Sequence, residues 1–146
     1  MPPPEPSGGS ASPRRSDWLA AVPAVPSGAS LGPLQLAWLG DAVWELHQRR
    51  RHCEQAGRSA ALHRAVVGAV RAEAQARALE RLEPLLQEQE KDLVRRGRNR
   101  AGRGPRRGDA AVYGLATGFE TMVGWLFLQN PQRLAELLDH LEETDP

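Results

Sequence analysis

Two stretches of the chain are almost wholly apolar, and each has a carboxylate near its centre. The first covers residues 34–46 and carries Asp41; the second covers residues 115–126 and carries Glu120. Their apolar positions recur at helical spacing, so both stretches are predicted to form buried helices. Because a carboxylate is costly to bury, each acid needs a partner, a metal ion or an exposed cleft. Two such acids in one small chain indicate that they share the same partner, metal ion or cleft.

The first helix is predicted to begin near Ser30 or Pro33 and to end in the cationic run 49–52, which suits a helix C-terminus. Its apolar residues form two stripes, which is typical of a central helix. Cap and turn residues predict four more helices: 60–82 after Ser59, 84–96 closed by Gly97, 110–128 after Asp109, and a last helix after Asn130 and Pro131. No segment shows convincing strand alternation, so the predicted fold class is all-α with five or six helices.

Residues 1–30 are predicted to be a disordered leader. Seven of the twelve prolines lie there, together with glycine and serine. Such a segment buries too little apolar area to offset the entropy lost on ordering. Trp18-Leu19 is its one plausible docking point. The folded domain is therefore expected to cover residues 31–143.

The most basic stretch lies just before the second acidic helix. Seven arginines occur in residues 95–108, with no acid between Asp92 and Asp109. Four glycines and a proline in the same stretch predict a loop, so the arginines are expected on mobile backbone. Arginine presents a planar fork suited to phosphate oxygens, although a GC-rich genome would produce the same bias towards arginine.

Composition limits the classes of protein that remain. A chain of 146 residues suits one domain. Its single cysteine, Cys53, excludes an internal disulfide and fits a reducing compartment. No uncharged run reaches the roughly 18 apolar residues typical of a membrane span, and the N-terminus does not resemble a secretory signal. The expected location is the cytoplasm, with no membrane partner.

The two acids and the basic stretch permit one joint explanation. Mg²⁺ prefers oxygen ligands and is often held by one or two carboxylates plus substrate phosphates. Such a metal can activate water against a phosphodiester, while arginines hold the flanking phosphates. The sequence contains no nucleophile elbow and no phosphate-binding loop. From spacing alone, a nucleic-acid phosphodiesterase and a purely structural role for Asp41 and Glu120 remain equally supported.

At these residues the sequence resembles a known family. Leu39-Gly40-Asp41-Ala42-Val43 resembles the signature of the ribonuclease III catalytic domain, and residues 119–124 (Phe-Glu-Thr-Met-Val-Gly) resemble its second acidic motif. Three further segments are similar to the Mini-ribonuclease III branch, which lacks a separate domain for binding double-stranded RNA: Arg95-Arg96-Gly97-Arg98-Asn99, Leu62-His63 and Ala72-x-Ala74-Gln75-Ala76. The match covers about residues 31–140 in the right order.

The resemblance implies a ribonuclease III-type endonuclease domain of five to seven helices that forms a homodimer. Double-stranded RNA would lie in the shared valley, and cleavage would leave 5′-phosphate and 3′-hydroxyl ends. Asp41 and Glu120 would be the catalytic pair that binds Mg²⁺, with Mn²⁺ as a substitute. The implied role is maturation of the ends of the large-subunit (23S) ribosomal RNA precursor, with a ribosomal protein as a helper. The implied RNA-binding residues are Arg95, Arg96, Arg98, Asn99, Arg103, Arg106 and Arg107.

The sequence departs from the larger ribonucleases III at two positions. Those enzymes carry further acids where this chain has Ala37 and Thr117, which leaves the number of metal ions per site open. Glu45, one turn after Asp41, is either an outer ligand or part of an exposed salt bridge. Two rival functions remain: a non-catalytic RNA-binding scaffold on the same domain, and a helical module whose arginine loop binds an acidic protein.

Overall fold

The computed structural model describes residues 16–23, 31–53, 64, 67, 72–102 and 109–144. Within these ranges the chain forms six α-helices and no strand, which confirms the all-α fold class. The helices are α1 (Asp17–Ala20), α2 (Pro33–Cys53), α3 (Ala72–Leu82), α4 (Glu88–Arg100), α5 (Ala110–Gln129) and α6 (Pro131–Thr144). A 3-10 turn (Glu83–Leu85) joins α3 to α4. Of the helix predicted over 60–82, the part before Ala72 lies outside the described residues, except Arg64 and Val67, which are helical.

Helix α5 lies at the centre of the fold. It packs against α2, α3, α4 and α6, and Phe119, Met122 and Val123 are almost completely buried along it. Among the described helices it alone is long and apolar enough to cross a membrane, judged by length and composition. More than half of that stretch is buried inside the fold, so the demands of the core account for its apolar composition.

The predicted caps of the last two helices are confirmed. The Asp109 carboxylate accepts a hydrogen bond from the Ala111 backbone N–H at 2.8 Å, and α5 begins at the next residue, Ala110. The Asn130 side-chain oxygen accepts one from the Arg133 backbone N–H at 3.2 Å, and α6 begins at Pro131. Each cap satisfies one of the backbone donors that a helix start leaves unpaired.

Helix α2 has one buried face and one exposed face. On the buried face, the Trp44 ring meets the Phe119 ring edge-on, with 5.0 Å between centroids. On the other face Leu34, Trp38 and Leu46 are exposed, Trp38 by 81%. The prediction that this helix is central is therefore wrong, because α5 occupies that place.

Part of the predicted leader belongs to the fold. Helix α1 contacts α6, and Leu19 is completely buried in the core. The Ser16 hydroxyl donates a hydrogen bond to Asp139, and the Arg50 guanidinium carbon lies 5.6 Å from the centroid of the Trp18 ring. The disorder predicted for residues 1–30 is thus wrong for residues 16–23, where Trp18-Leu19 docks as expected. Residues 1–15 and 24–30 lie outside the described residues.

The helix predicted over 84–96 differs from α4 at both ends. Pro84 lies in the 3-10 turn, and α4 begins at Glu88 after a capping box formed by Gln87 and Glu90. Gly97 does not end the helix, which continues to Arg100. A Cβ atom at Gly97 would lie 2.2 Å from the Thr121 hydroxyl oxygen. The glycine therefore allows close packing of α4 on α5 instead of forming a cap.

A buried ion pair fixes the start of α4. Glu90 is 2% exposed; its carboxylate accepts hydrogen bonds from Arg133 Nε at 2.8 Å and Nη2 at 2.9 Å. Nη2 of the same arginine also donates to the Leu85 carbonyl at 2.8 Å. This two-pronged geometry satisfies both charges, and a charge left without its partner there would be costly. The pair holds α4 in a fixed direction relative to α6.

Candidate active site

Two glycines let α2 and α5 touch backbone to backbone. A Cβ atom at Gly40 would lie 1.8 Å from the Glu120 carbonyl oxygen, and one at Gly124 would lie 2.0 Å from the Leu36 carbonyl oxygen. Real Cβ atoms cannot approach that closely, so the crossing requires glycine at both positions. Because Asp41 directly follows Gly40, the crossing brings Asp41 next to the segment that carries Glu120.

The two carboxyl groups influence each other. Glu120 is partly buried and Asp41 is exposed. Burial raises the pKa of Glu120 to about 7, and the charge of Asp41 contributes to the rise. Partial burial raises the pKa of Asp41, and the charge of Glu45 raises it further. The sequence placed both acids in apolar helices; the structure adds that they lie close enough to interact.

Gln75 on α3 joins the two acids. Its side chain is 1% exposed and acts as a hydrogen-bonding group towards both, lowering the pKa of Asp41 and of Glu120 by less than burial raises each. Its Nε2 atom nevertheless has no partner with standard hydrogen-bond geometry among the described residues. The interaction therefore falls outside standard hydrogen-bond geometry.

No described cation neutralises the acid pair. Neither Asp41 nor Glu120 forms an ion pair with an arginine or lysine in the part of the chain that the structure describes. The Glu45 carboxylate pairs with Arg49 at 2.8 Å, which favours the salt-bridge interpretation of Glu45. Two unneutralised carboxylates beside a neutral amide form an oxygen-donor set that fits Mg²⁺, which keeps several of its waters.

The described residues contain no group of three or more His, Cys, Asp or Glu side chains that could hold a metal. At the two positions where the sequence lacks the further acids of the family it resembles, Ala37 is buried and the Thr117 hydroxyl donates to the Tyr113 carbonyl at 2.9 Å. Thr117 therefore uses its hydroxyl within its own helix. The described site has two acids and not four.

The arginines predicted on a loop are partly on a helix. Arg95, Arg96, Arg98 and Asn99 lie in the last turns of α4, which corrects the expectation of mobile backbone for them. Arg103, Arg106 and Arg107 lie outside the described residues. The first two arginines are exposed, and both pair with Asp92, Arg96 at 2.9 Å.

An open groove lies between α3, α4 and the start of α5. Arg95, Arg98 and Asn99 all line it. The structure therefore distributes the four predicted RNA-binding residues around the end of one rigid helix. It does not bring any of them into direct contact with Asp41 or Glu120.

Gln75 is the site residue to which sequence reasoning gave no role. Its motif was noted as Ala72-x-Ala74-Gln75-Ala76, but no function followed from it. One signal was present: among the residues of α3 that prove to be buried, Gln75 is the only polar one, beside Ala78, Leu79 and Leu82. Like a single acid, a single amide on an apolar helix face is costly to bury unless it is hydrogen-bonded.

Comparison with known proteins is consistent with this geometry. Residues 34–131 match the family described as Ribonuclease III domain. A protein named Mini-ribonuclease 3 from Synechococcus sp. is 53% identical over 115 residues, covering 79% of this chain and 83% of that protein. One of the same name from Synechocystis sp. is 46% identical over 121 residues, covering 83% and 85%. A crystal structure of a Fusobacterium nucleatum protein superposes with a TM-score of 0.70 at 25% identity, covering 78% of this chain and 93% of that one.

Proposed function

Since the chain belongs to the ribonuclease III family and is an endoribonuclease, we propose that Asp41 and Glu120 form its catalytic pair and hold Mg²⁺ for cleavage of double-stranded RNA. The observation that supports this most is the acid pair at the glycine crossing. Burial and the charge of Asp41 disfavour ionisation of Glu120, and no described cation offsets them. A divalent cation supplies the missing charge.

When bound, Mg²⁺ supplies an activated water and stabilises charge on the leaving oxygen of the phosphodiester. The side chains of this site hold and orient it. Asp41 is exposed and would hold the metal from the solvent side, whereas Glu120 is partly buried and would hold it from the inner side. Mn²⁺ has similar ligand preferences and is proposed as a substitute. Hydrolysis would leave 5′-phosphate and 3′-hydroxyl ends.

The end of α4 is the proposed contact for the RNA backbone. Arg95 and Arg96 are 70% and 65% exposed, and Arg98 and Asn99 share the same end of the helix. Guanidinium groups match phosphate geometry, and A-form RNA is read mostly through shape and backbone. Their placement on a helix anchored by Glu90 and Arg133 gives these cations a fixed spacing. Arg103, Arg106 and Arg107 remain predictions of the sequence.

The proposed substrate is the precursor of the large-subunit (23S) ribosomal RNA, in the cytoplasm, with a ribosomal protein as a helper. Support for this comes from the resemblance to the Mini-ribonuclease III branch and from relatives that carry that name. Cys53 is a free, exposed thiol, which fits a reducing compartment.

We expect the Asp41→Asn protein to bind duplex RNA but to cleave it on the order of 10³-fold more slowly, the scale seen when one member of a catalytic unit is removed. The measurement is cleavage of a structured precursor RNA at low salt with and without Mg²⁺, beside a binding assay. Asp109→Asn is the matched control, because asparagine caps a helix as well as aspartate does.

Two results would count against the proposal. If the wild-type protein leaves the RNA intact in Mg²⁺ at micromolar enzyme, it is not a metal-dependent nuclease on such substrates. If Asp41→Asn and Glu120→Gln both cleave normally, the acids have a structural role only. RNA binding without cleavage in all variants would favour the scaffold.

The exposed face of α2 supports a homodimer. Exposed apolar residues lie along one side of this helix and just before its start, and Trp38 projects almost fully into solvent: Leu31, Leu34, Trp38 and Leu46. A contiguous apolar stripe of this kind marks an association surface. We propose that a second copy of the chain covers it, which would place an acid pair on each side of the two-fold axis.

We expect Trp38→Glu to convert the dimer into a monomer, because a charge at the centre of an apolar interface would be buried without a partner. Sedimentation velocity across a concentration series measures the change, which should exceed about 100-fold in the dimer dissociation constant. Leu85→Glu is the control, since Leu85 is similarly apolar and exposed but lies on the 3-10 turn. A dimer that survives Trp38→Glu would place the interface elsewhere.

A further inference from the structure

Neither packing nor a hydrogen bond of standard geometry among the described residues accounts for the buried amide of Gln75. The side chain is 1% exposed on the inner face of α3. Its Nε2 atom is fully enclosed and has no hydrogen-bond partner of standard geometry among the described residues. Leaving a buried donor unsatisfied destabilises the fold. An apolar residue of the same size would avoid that loss, so the amide must have a role other than packing.

The position of the amide indicates what that role is. Gln75 lies on the buried face of α3, and α3 packs against α5, the helix that carries Glu120. Its side chain lowers the pKa of Asp41 and of Glu120. An ionised carboxylate only accepts hydrogen bonds, whereas an amide NH₂ has two hydrogens to donate. One nitrogen can therefore serve an oxygen of each acid at the same time. Neither a third acid nor an aliphatic side chain has this capacity.

We propose that Gln75 is a positioning residue of the metal site, with its NH₂ group donating to the Asp41 and Glu120 carboxylates and fixing how they face the cation. This rests on the proposed function of the acid pair. Partners behind metal ligands orient those ligands and contribute strongly to metal affinity. Because Ala37 and Thr117 add no acid here, the two remaining carboxylates depend more heavily on the group that orients them.

A second buried glutamine provides a control inside the same chain. Gln48 lies on α2, two turns beyond Asp41, and is 2% exposed. Its Oε1 atom also lacks a partner of standard geometry among the described residues. Gln48 thus shares the burial and the unsatisfied amide of Gln75, but it does not act on either carboxyl group. A general effect of removing a buried amide should appear equally at both positions.

The test is Mn²⁺ binding to the full chain without RNA, measured by calorimetry for wild type, Gln75→Met and Gln48→Met. Methionine keeps the length of the side chain and removes the donors. We expect Gln75→Met to weaken Mn²⁺ binding about 10-fold or more, and the Mg²⁺ concentration for half-maximal cleavage to rise by the same factor. Gln48→Met should leave both quantities within about twofold of wild type.

Unfolding in EDTA separates this effect from loss of the fold. We expect Gln75→Met to melt at or above the wild-type temperature, because it removes an unsatisfied buried donor. If the methionine variant does not fold, Gln75→Asn replaces it; that variant keeps the amide but withdraws it by one methylene, and the same loss of affinity is expected.

The outcomes distinguish this proposal from the function on which it rests. Failure of the wild-type chain to bind Mn²⁺ would overturn the metal site itself. Wild-type binding with unchanged affinity in a folded Gln75 variant would overturn the positioning role alone. Equal losses in the Gln75 and Gln48 variants would likewise overturn it, since the amide near the acids would then have no special effect.

Discussion

The Glu120→Gln protein should lose RNA cleavage and yet be more stable than wild type above pH 7 when metal is absent. In the folded protein, burial and then the charge of Asp41 raise the pKa of Glu120 to about 7 from its usual value of 4.5. Folding therefore favours the protonated acid. The neutral glutamine side chain has nearly the same shape and never incurs the cost of ionisation.

The sign and size of the pH dependence follow from linkage. Below pH 4.5 Glu120 is protonated in both the folded and unfolded states, so the raised pKa has no effect on stability. As the pH rises from 4.5 to about 7, the unfolded state releases its proton first, and the free energy of unfolding falls by up to about 3 kcal/mol. Above pH 7 the loss is complete and stability no longer depends on this group.

Thermal unfolding in EDTA at pH 5.5 and pH 8 measures this effect. At pH 8 the Glu120→Gln variant should melt roughly 5–10 °C above wild type, whereas at pH 5.5 the difference should be smaller. Added Mg²⁺ should raise the melting temperature of wild type only, because binding stabilises the folded state that has the site. Glu88→Gln is the control, since that side chain is 94% exposed.

One result would contradict this account. If Glu120→Gln melts below wild type at pH 8 in EDTA, the carboxylate has a stabilising partner in the fold. Glu120 would then be a structural acid, and its loss of cleavage could no longer be assigned to metal binding.

Gly40→Ala and Gly124→Ala should each destabilise the protein and greatly reduce cleavage. An alanine Cβ at these positions would lie 1.8 Å from the Glu120 carbonyl oxygen or 2.0 Å from the Leu36 carbonyl oxygen. Both oxygens belong to helix backbone, which cannot move away as a flexible side chain can. Helices α2 and α5 must therefore separate, at a cost of about 3 kcal/mol or more for overpacking.

Cleavage should fall further than stability alone explains. Separation of α2 from α5 moves Asp41 away from Glu120, and a displacement of about 1 Å in a catalytic group can cost about 100-fold in rate. Assays at a temperature where the variants remain folded should still show this loss. Mn²⁺ binding should weaken in parallel, because both ligands come from the helices that separate.

Gly114→Ala is the matched control on α5. A Cβ atom there would lie 3.3 Å from the Arg98 Cγ, on a flexible side chain that can move, and 4.0 Å from the Arg98 carbonyl oxygen, an ordinary contact distance. Since alanine favours helix over glycine, this variant should be more stable by up to about 1 kcal/mol. Denaturant unfolding of all three variants gives the comparison. Equal effects at the three glycines would show that the crossing is not a close contact.

Several helix boundaries were predictable because their causes are local. Asp109 and Asn130 satisfy backbone donors within three residues of themselves, so their capping role can be read from the sequence. The apolar character of the segment within α5 was likewise predicted, and Phe119 is buried accordingly.

Other assignments failed because the deciding contact lies far along the chain. Gly97 has the sequence context of a helix cap, but Thr121 on α5 packs against it and α4 continues. Gly118 also meets a distant segment, since a Cβ there would lie 2.6 Å from the Val94 carbonyl oxygen on α4. In both cases the missing side chain serves packing between helices and not turn conformation.

The sequence by itself determined the fold class, most of the helix ends and the identity of the two unusual acids, because these depend on neighbours within a few residues. Only the tertiary structure decided that Asp41 and Glu120 meet, that Gln75 joins them, and that four of the predicted RNA-binding residues lie on a rigid helix. Residues 41 and 120 lie far apart in the sequence, so no local pattern predicts that they meet. Their proximity comes from two glycines, Gly40 and Gly124, whose missing side chains let two helix backbones touch.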